Sequence, residues 1–239
     1  MQLVRKLRSA MFGLLRRLAH ACGFEITRLP LPRRSDDLWQ PWLARLARDR
    51  AVEVIFDVGA NKGETVAWFR EQMPKAVIHA FEPFAPVFKK LEEASAGDNG
   101  VKCHQIALGE KAGSATLYEN SADTTNSLLA NSEATETYSP KHMVIPRGEH
   151  TVPVERMDDF CQRMGIRRVD LLKIDAQGYE RLILEGAGEM LHPDRIRGVY
   201  GEMLFVDYYK GQAWGGELIE LLRSRGYRFW GIAAVSFDE

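Results

Sequence analysis

The stretch VIFDVGANKGET, residues 54–65, decides the fold. Val54, Ile55 and Phe56 run into Asp57 and Val58, then into a turn with two glycines and an asparagine. A helix-forming run, ETVAWFREQM, follows at once. The pattern is a buried strand, a tight turn and a helix start. In an open parallel sheet, ligands bind outside the carboxyl ends of the strands, which is where this turn lies. Gly59 and Gly63 have no Cβ, so the backbone can approach a ligand closely. Asn61 belongs to the few side chains suited to a left-handed backbone. The free N–H groups that open the helix favour an anionic group.

The same rhythm continues outward. AVIHAFEP reads as a strand and APVFKKLEEA as a helix; VKCHQIALG reads as a strand and SATLYEN as a further strand candidate. After residue 150, TVPVERM, VDLLKID, RGVYGEM and YRFWGIAAV read as strands, with helices at DDFCQRMG, YERLILEGAGEML and ELIELLRSRG. Strands alternating with helices indicate a mostly parallel sheet covered on both faces. Residues 119–150 break the rhythm: they are rich in Ser, Thr, Asn and Glu, and read as an irregular binding loop, a lid or a disordered segment. Residues 1–50 form an extension. Its first 20 residues carry five Lys or Arg and no acid on a helical apolar repeat. Such a helix packs on the main domain or on a second subunit, giving a homo-oligomer, or docks on an anionic membrane surface. Residues 28–36 read as a proline-containing linker, and Ser35 or Asp36 as the cap of a helix reaching Arg50.

Composition narrows the class. The 239 residues carry a formal net charge of -1, so nothing global points to nucleic acid. The three cysteines, Cys22, Cys103 and Cys161, are far apart and fit neither a disulfide framework nor a zinc site. A reducing, cytoplasmic setting follows. No apolar run reaches the roughly 18 residues of a membrane span.

Glu82 closes the second strand, 25 residues after Asp57. An acid at an offset of about 20 residues hydrogen-bonds a cofactor ribose in folds of this kind. The turn and Glu82 together indicate an adenosine-containing cofactor. The turn reads Gly59-Ala60-Asn61-Lys62-Gly63-Glu64 and lacks the GxGxxG of a dinucleotide site, and little chain remains for a separate substrate domain. Both points favour S-adenosylmethionine over NAD. An NAD-dependent oxidoreductase is the rival enzyme, and a non-catalytic adaptor docking through the basic N-terminal helix is the rival of another class.

DVGANKGET, FEPFAPVFKKLEE, QIALGEKAG, VERMDDF and DLLKIDAQGYERLILEGA, in that order, resemble the FkbM-type methyltransferases, a branch of the class I S-adenosylmethionine-dependent fold. The resemblance covers about residues 50–230. It implies a Rossmann-like α/β methyltransferase domain over residues 51–239, with Asp57, Gly59, Asn61 and Gly63 lining the methionine end of the cofactor. It implies that Glu82 holds the ribose, that Gln105 to Gly109, with Ala107 among them, flank the adenine, and that Asp175 stands beside the reaction centre. Only 13 residues follow Gly226, so the usual terminal hairpin is short or missing.

Asp175 and Glu202 end neighbouring strands and are the candidate catalytic carboxylates, as base or as groups orienting a hydroxyl. Lys173 shares a face with Asp175 on a regular strand, and no role is assigned to it. No metal is expected, because no pair of adjacent acids sits at a strand end. Asn126, Ser127 and His142 in the polar insertion are candidate ligands of the acceptor, with Thr124 and His150 beside them; His104 reads as structural. The activity expected is O-methylation of a sugar or another small hydrophilic metabolite.

Overall fold

Alternation along β1 (Val54–Val58) turns Phe56 and Val58 to one face of the sheet and Ile55 and Asp57 to the other. The computed structural model describes residues 40–232. The expected basic helix at residues 1–20 and the linker at 28–36 lie outside the described residues. The chain divides into two compact units, residues 1–44 and 45–239. A helix α1 (Gln40–Asp49) spans the division, and everything below concerns the second unit.

β1 is followed by α2 (Glu64–Gln72), β2 (Val77–Phe81), α3 (Ala85–Ala94) and β3 (Val101–His104). Then come β4 (Ala107–Leu108), β5 (Gly113–Asn120), α4 (Glu133–Tyr138), β6 (Pro146–Glu155), α5 (Met157–Met164) and β7 (Leu171–Ile174). α6 (Glu180–Gly186), β8 (Val199–Gly201) and α7 (Gly215–Ser224) complete the series. The main sheet has the order β3-β2-β1-β7-β8, all parallel. Phe56, Val58, Phe81, Leu172 and Ile174 pack on its one face with Met157 and Phe160 of α5, Ile183 and Leu184 of α6 and Leu218 of α7. On the other face Ile55 and Ile78 are fully buried, as are Phe69 of α2 and Leu91 of α3. Burying a side chain of this size contributes roughly 1.5–3 kcal/mol, which fixes the sheet's register.

Three expectations are corrected. VKCHQIALG is two strands: β3 closes one edge of the main sheet, while β4 pairs with β6 in a second sheet of order β4-β6-β5. The polar insertion is ordered structure, with a 3-10 turn at Asp123–Thr125, the helix α4 capped by Ser132, and the first half of β6. Its polar side chains pair with one another, as Asn120 does with Asn131 at 3.0 Å. Finally, residues 227–232 form no strand, although they fill part of YRFWGIAAV; the remainder of that stretch lies outside the described residues. No described helix is long and apolar enough to cross a membrane.

Candidate functional site

From β1 the chain steps to β2 and β3 on one side, while β7 and β8 lie on the other. In open parallel sheets a ligand crevice lies at such a reversal, which here falls at the carboxyl ends of β1 and β7. The turn after β1 lines it. Gly59, at φ 73°, lies so close to the end of β7 that a Cβ would sit 1.9 Å from the carbonyl oxygen of Asp175. The amides of Gly59 and Ala60 both donate to the Phe81 carbonyl, at 3.1 and 3.0 Å, which ties the turn to β2. Asn61 takes the left-handed backbone expected of it, φ 47°, and Gly63 at φ 90° caps α2.

Beneath the turn lies an ion pair. Asp57 is fully buried, and its Oδ1 is 2.9 Å from Lys173 Nζ, its register partner on β7. The same ammonium donates to the Gly59 carbonyl at 2.9 Å and lies 3.9 Å from Asp175 Oδ2. Burial works to lower the pKa of Lys173, but the charges of Asp57 and Asp175 outweigh it and hold the amine protonated. Asp57 is therefore tied to the turn through Lys173 and exposes no surface of its own. Its Oδ2 has no hydrogen-bond partner among the described residues.

Glu82 lies one strand over and is 7% exposed. Its Oε1 accepts from the Phe84 amide at 2.9 Å and its Oε2 from the Asn61 amide at 3.2 Å. Burial pushes its pKa up to about 7 against the pull of those two donors. Beyond β3, Gln105 is exposed and Ala107 is buried in β4. Between the turn and the insertion, Lys62 Nζ and Asp123 Oδ2 pair at 2.7 Å.

Across the crevice, Asp175 and Glu202 follow directly on β7 and β8, and both are exposed. Gln177 Nε2 bridges them, 2.9 Å from Asp175 Oδ1 and 3.1 Å from Glu202 Oε2. Desolvation by the surrounding protein, then the charges of Asp175 and Glu180, push the Glu202 pKa up to about 7. A carboxylate poised there suits proton abstraction near neutrality.

The candidate acceptor ligands fare unequally. Ser127 is 3% exposed, and its hydroxyl donates to the Gln177 carbonyl at 2.7 Å, so it braces the turn after β7 and does not reach the crevice. Asn126 uses its Oδ1 to accept from the Asn120 amide at 2.9 Å. His142 is exposed, and its carbonyl accepts from Ser121. His150 lies in β6 rather than in a loop, 2.7 Å from Glu119 across the ribbon. His104 stacks on His79 and Phe81, as a structural residue would. Sequence reasoning left Lys173 unassigned and passed over Gln177 and Glu180. The K-x-D spacing on one strand was the signal for Lys173; the other two had none beyond residue type.

A family model described as "Methyltransferase FkbM domain" matches residues 57–229. The chain is 32% identical over 198 residues to the 31-O-demethyl-FK506 methyltransferase FkbM of Streptomyces tacrolimicus, covering 74% of each chain. It is 25% identical over 175 residues to the 2-O-methyltransferase NoeI of Sinorhizobium fredii (strain NBRC 101917 / NGR234), covering 72% of this chain and 71% of that one. It is also 30% identical over 164 residues to Methyltransferase 1 of Beauveria bassiana (strain ARSEF 2860).

Proposed function

The chain belongs to the FkbM methyltransferase family, and we propose that it moves a methyl group from S-adenosylmethionine to a hydroxyl of a sugar or another small hydrophilic metabolite. The observation that carries this reading is the pair of open carboxylates, Asp175 and Glu202, bridged by Gln177 at the carboxyl ends of neighbouring strands, beside a glycine turn that packs on the end of β7. The residues suit the cofactor. Gly59 and Gly63 let the turn pack tightly, the first on the end of β7 and the second on Leu91 of α3, the start of α2 offers N–H groups to a carboxylate, and Glu82 is a buried acceptor one strand away, ready for ribose hydroxyls. Gln105 and Ala107 are the flank for an adenine. When bound, the cofactor supplies an electrophilic methyl group on a positively charged sulfur.

The protein's own share is alignment and proton removal. Glu202, with its pKa raised to about 7, takes the hydroxyl proton once ionised, and Asp175 orients the oxygen. A positioned base of this kind is worth roughly 10²–10⁴-fold in rate. The names of two relatives specify O-methylation, which supports a hydroxyl acceptor. The ordered polar insertion, with Asn126 and His142 on it, supports a hydrophilic one. Contact of the first 20 residues with a membrane surface, and pairing of two copies, belong to the same proposal only as further partners. Calorimetric titration tests the donor: heat on adding S-adenosylhomocysteine and none on adding NAD is the expected result, and the reverse overturns the reading. Mass spectrometry of candidate glycans and polyols for a gain of one methyl then tests the acceptor.

A further inference from the structure

Gln177 has a backbone and a side chain that both call for explanation. Its φ is 52°, in a left-handed region where a residue of this type is uncommon. Gly178 follows at φ 93°, and a Cβ there would meet the Tyr209 ring at 2.9 Å. The turn is held from below by Glu180, whose Oε1 accepts from the amides of Ala176 and Gly178 at 2.9 and 3.3 Å. It is held from the side by the Ser127 hydroxyl on the Gln177 carbonyl, at 2.7 Å. All this structure delivers one amide between two acids.

The orientation of that amide is determined by its neighbours. An ionised carboxylate only accepts, so Nε2 must face Asp175 and Glu202. Oε1 then faces the Tyr209 hydroxyl, 2.8 Å away, and needs a donor. Tyr209 is 4% exposed, and burial raises its pKa, so the phenol stays protonated and can donate. The amide hands one N–H to each acid and leaves Glu202 Oε1, and Asp175 Oδ2 with Lys173 Nζ 3.9 Å away, for other partners. We propose that Gln177 is a positioning residue of the methyl-transfer site, a neutral clamp that holds the Asp175 and Glu202 carboxylates side by side with one oxygen of each turned to the acceptor hydroxyl.

The choice of an amide has a physical reason. Two neighbouring carboxylates repel, and one of them tends to keep a proton. A lysine or arginine between them would relieve the repulsion, but its charge would also drain basicity from Glu202. An amide supplies donors without charge, so the pair stays aligned and Glu202 stays basic. The other groups acting on Glu202 are Asp175 and Lys173 from β7 and Glu180 from α6, with Tyr200 of β8 and Tyr209 of the following loop alongside.

This inference rests on the methyltransferase reading for its role, but its test does not. Gln177→Asn keeps a side chain that tolerates the left-handed backbone and is one methylene too short to bridge both acids. Carboxyl ¹³C NMR of Glu202, across pH, is compared in wild type, Gln177→Asn and Tyr209→Phe. Loss of a donor to the ionised form raises a carboxyl pKa. The Glu202 midpoint moves up by roughly half a unit or more in Gln177→Asn and by less in Tyr209→Phe, while S-adenosylhomocysteine affinity changes by less than about threefold. With an acceptor from the mass-spectrometric screen, kcat of Gln177→Asn falls about 10–100-fold at little change in the KM for S-adenosylmethionine, and the rising limb of its pH profile moves up with the NMR midpoint. An unshifted Glu202 midpoint in a folded Gln177→Asn overturns the clamp. If that variant does not fold, an unshifted midpoint in Tyr209→Phe does so. Absence of S-adenosylhomocysteine binding by the wild type overturns the functional reading instead, and leaves the NMR comparison to decide the clamp.

Discussion

On the β1–β2 side of the crevice, Asp57 and Glu82 are 0% and 7% exposed, and each is pinned: the first by Lys173, the second by two backbone amides. On the β7–β8 side, Asp175 and Glu202 are each partly open to solvent and share the side chain of Gln177. The first arrangement is costly to build, because a buried charge demands a partner. Once built, it needs no reorganisation when a ligand arrives. The second spends fewer of its lone pairs on the protein and keeps the rest for a reactant. Under the proposed function the sealed side grips the donor and the open side works on the acceptor. Lys173 joins them, since one ammonium touches Asp57, the Gly59 carbonyl and the approach to Asp175.

Removing that joint is the most severe way to break the comparison. Lys173→Met leaves Asp57 as a buried carboxylate without its cation, which costs about 3–5 kcal/mol in comparable cases. Urea unfolding of the variant measures the loss. Adding Asp57→Asn to Lys173→Met recovers part of it, because the orphaned charge is gone. Full stability in Lys173→Met would mean that Asp57 takes up a proton at little cost, and that the sealed side is not built on charge.

A matched pair of substitutions then separates the two sides. Glu82→Gln keeps the shape but swaps one acceptor for a donor that faces a backbone amide. S-adenosylhomocysteine affinity falls roughly 10–100-fold by calorimetry, the worth of one hydrogen bond to a charged group. Asp175→Asn leaves that affinity within a few-fold and removes most of the turnover. Equal effects of the two variants on binding would erase the division of labour.

How far the sequence speaks follows the same line between local and distant. The turn was legible because glycine, asparagine and a strand-to-helix switch are local signals, and the conformations of Gly59, Asn61 and Gly63 agree with them. The strand ends at Glu82, Asp175 and Glu202 were legible because apolar runs stop there. VKCHQIALG was misread because Ala107 of β4 pairs with Val154 of β6, and that partner is invisible from within the run. The insertion was misread because polar composition resembles a loop until its side chains find one another, as Asn120 finds Asn131 and Ser132 caps α4. Ser127 shows the same limit in one residue. Its chemistry suits an acceptor ligand, and only the fold reveals that its hydroxyl is already given to Gln177.

The mildest test concerns the carboxylates at the two ends of β7. Asp170, before the strand, is 2% exposed, and burial would raise its pKa; the amides of Glu53 and Val54 with Arg50 and Arg197 outweigh this and lower it. Glu180, after the strand, is 4% exposed with amide donors but no cation, and burial pushes its pKa up to about 7 from an ordinary 4.5. The two therefore act on stability with opposite sign. A lowered folded pKa stabilises above the unfolded value and is lost as pH falls through the folded one, so Asp170 contributes at neutral pH and fails in acid. A raised folded pKa contributes fully below about pH 4.5 and is lost as pH rises through about 7, because the unfolded chain ionises first. Glu180→Gln does not titrate and keeps an oxygen for the amides of Ala176 and Gly178. It should match the wild type near pH 4.5 and exceed it by about 1–2 kcal/mol at pH 8. Thermal melts at the two pH values measure the difference. A constant gap at both would show that Glu180 is held ionised throughout, and that the turn carrying Gln177 is pinned by charge as firmly as the turn after β1.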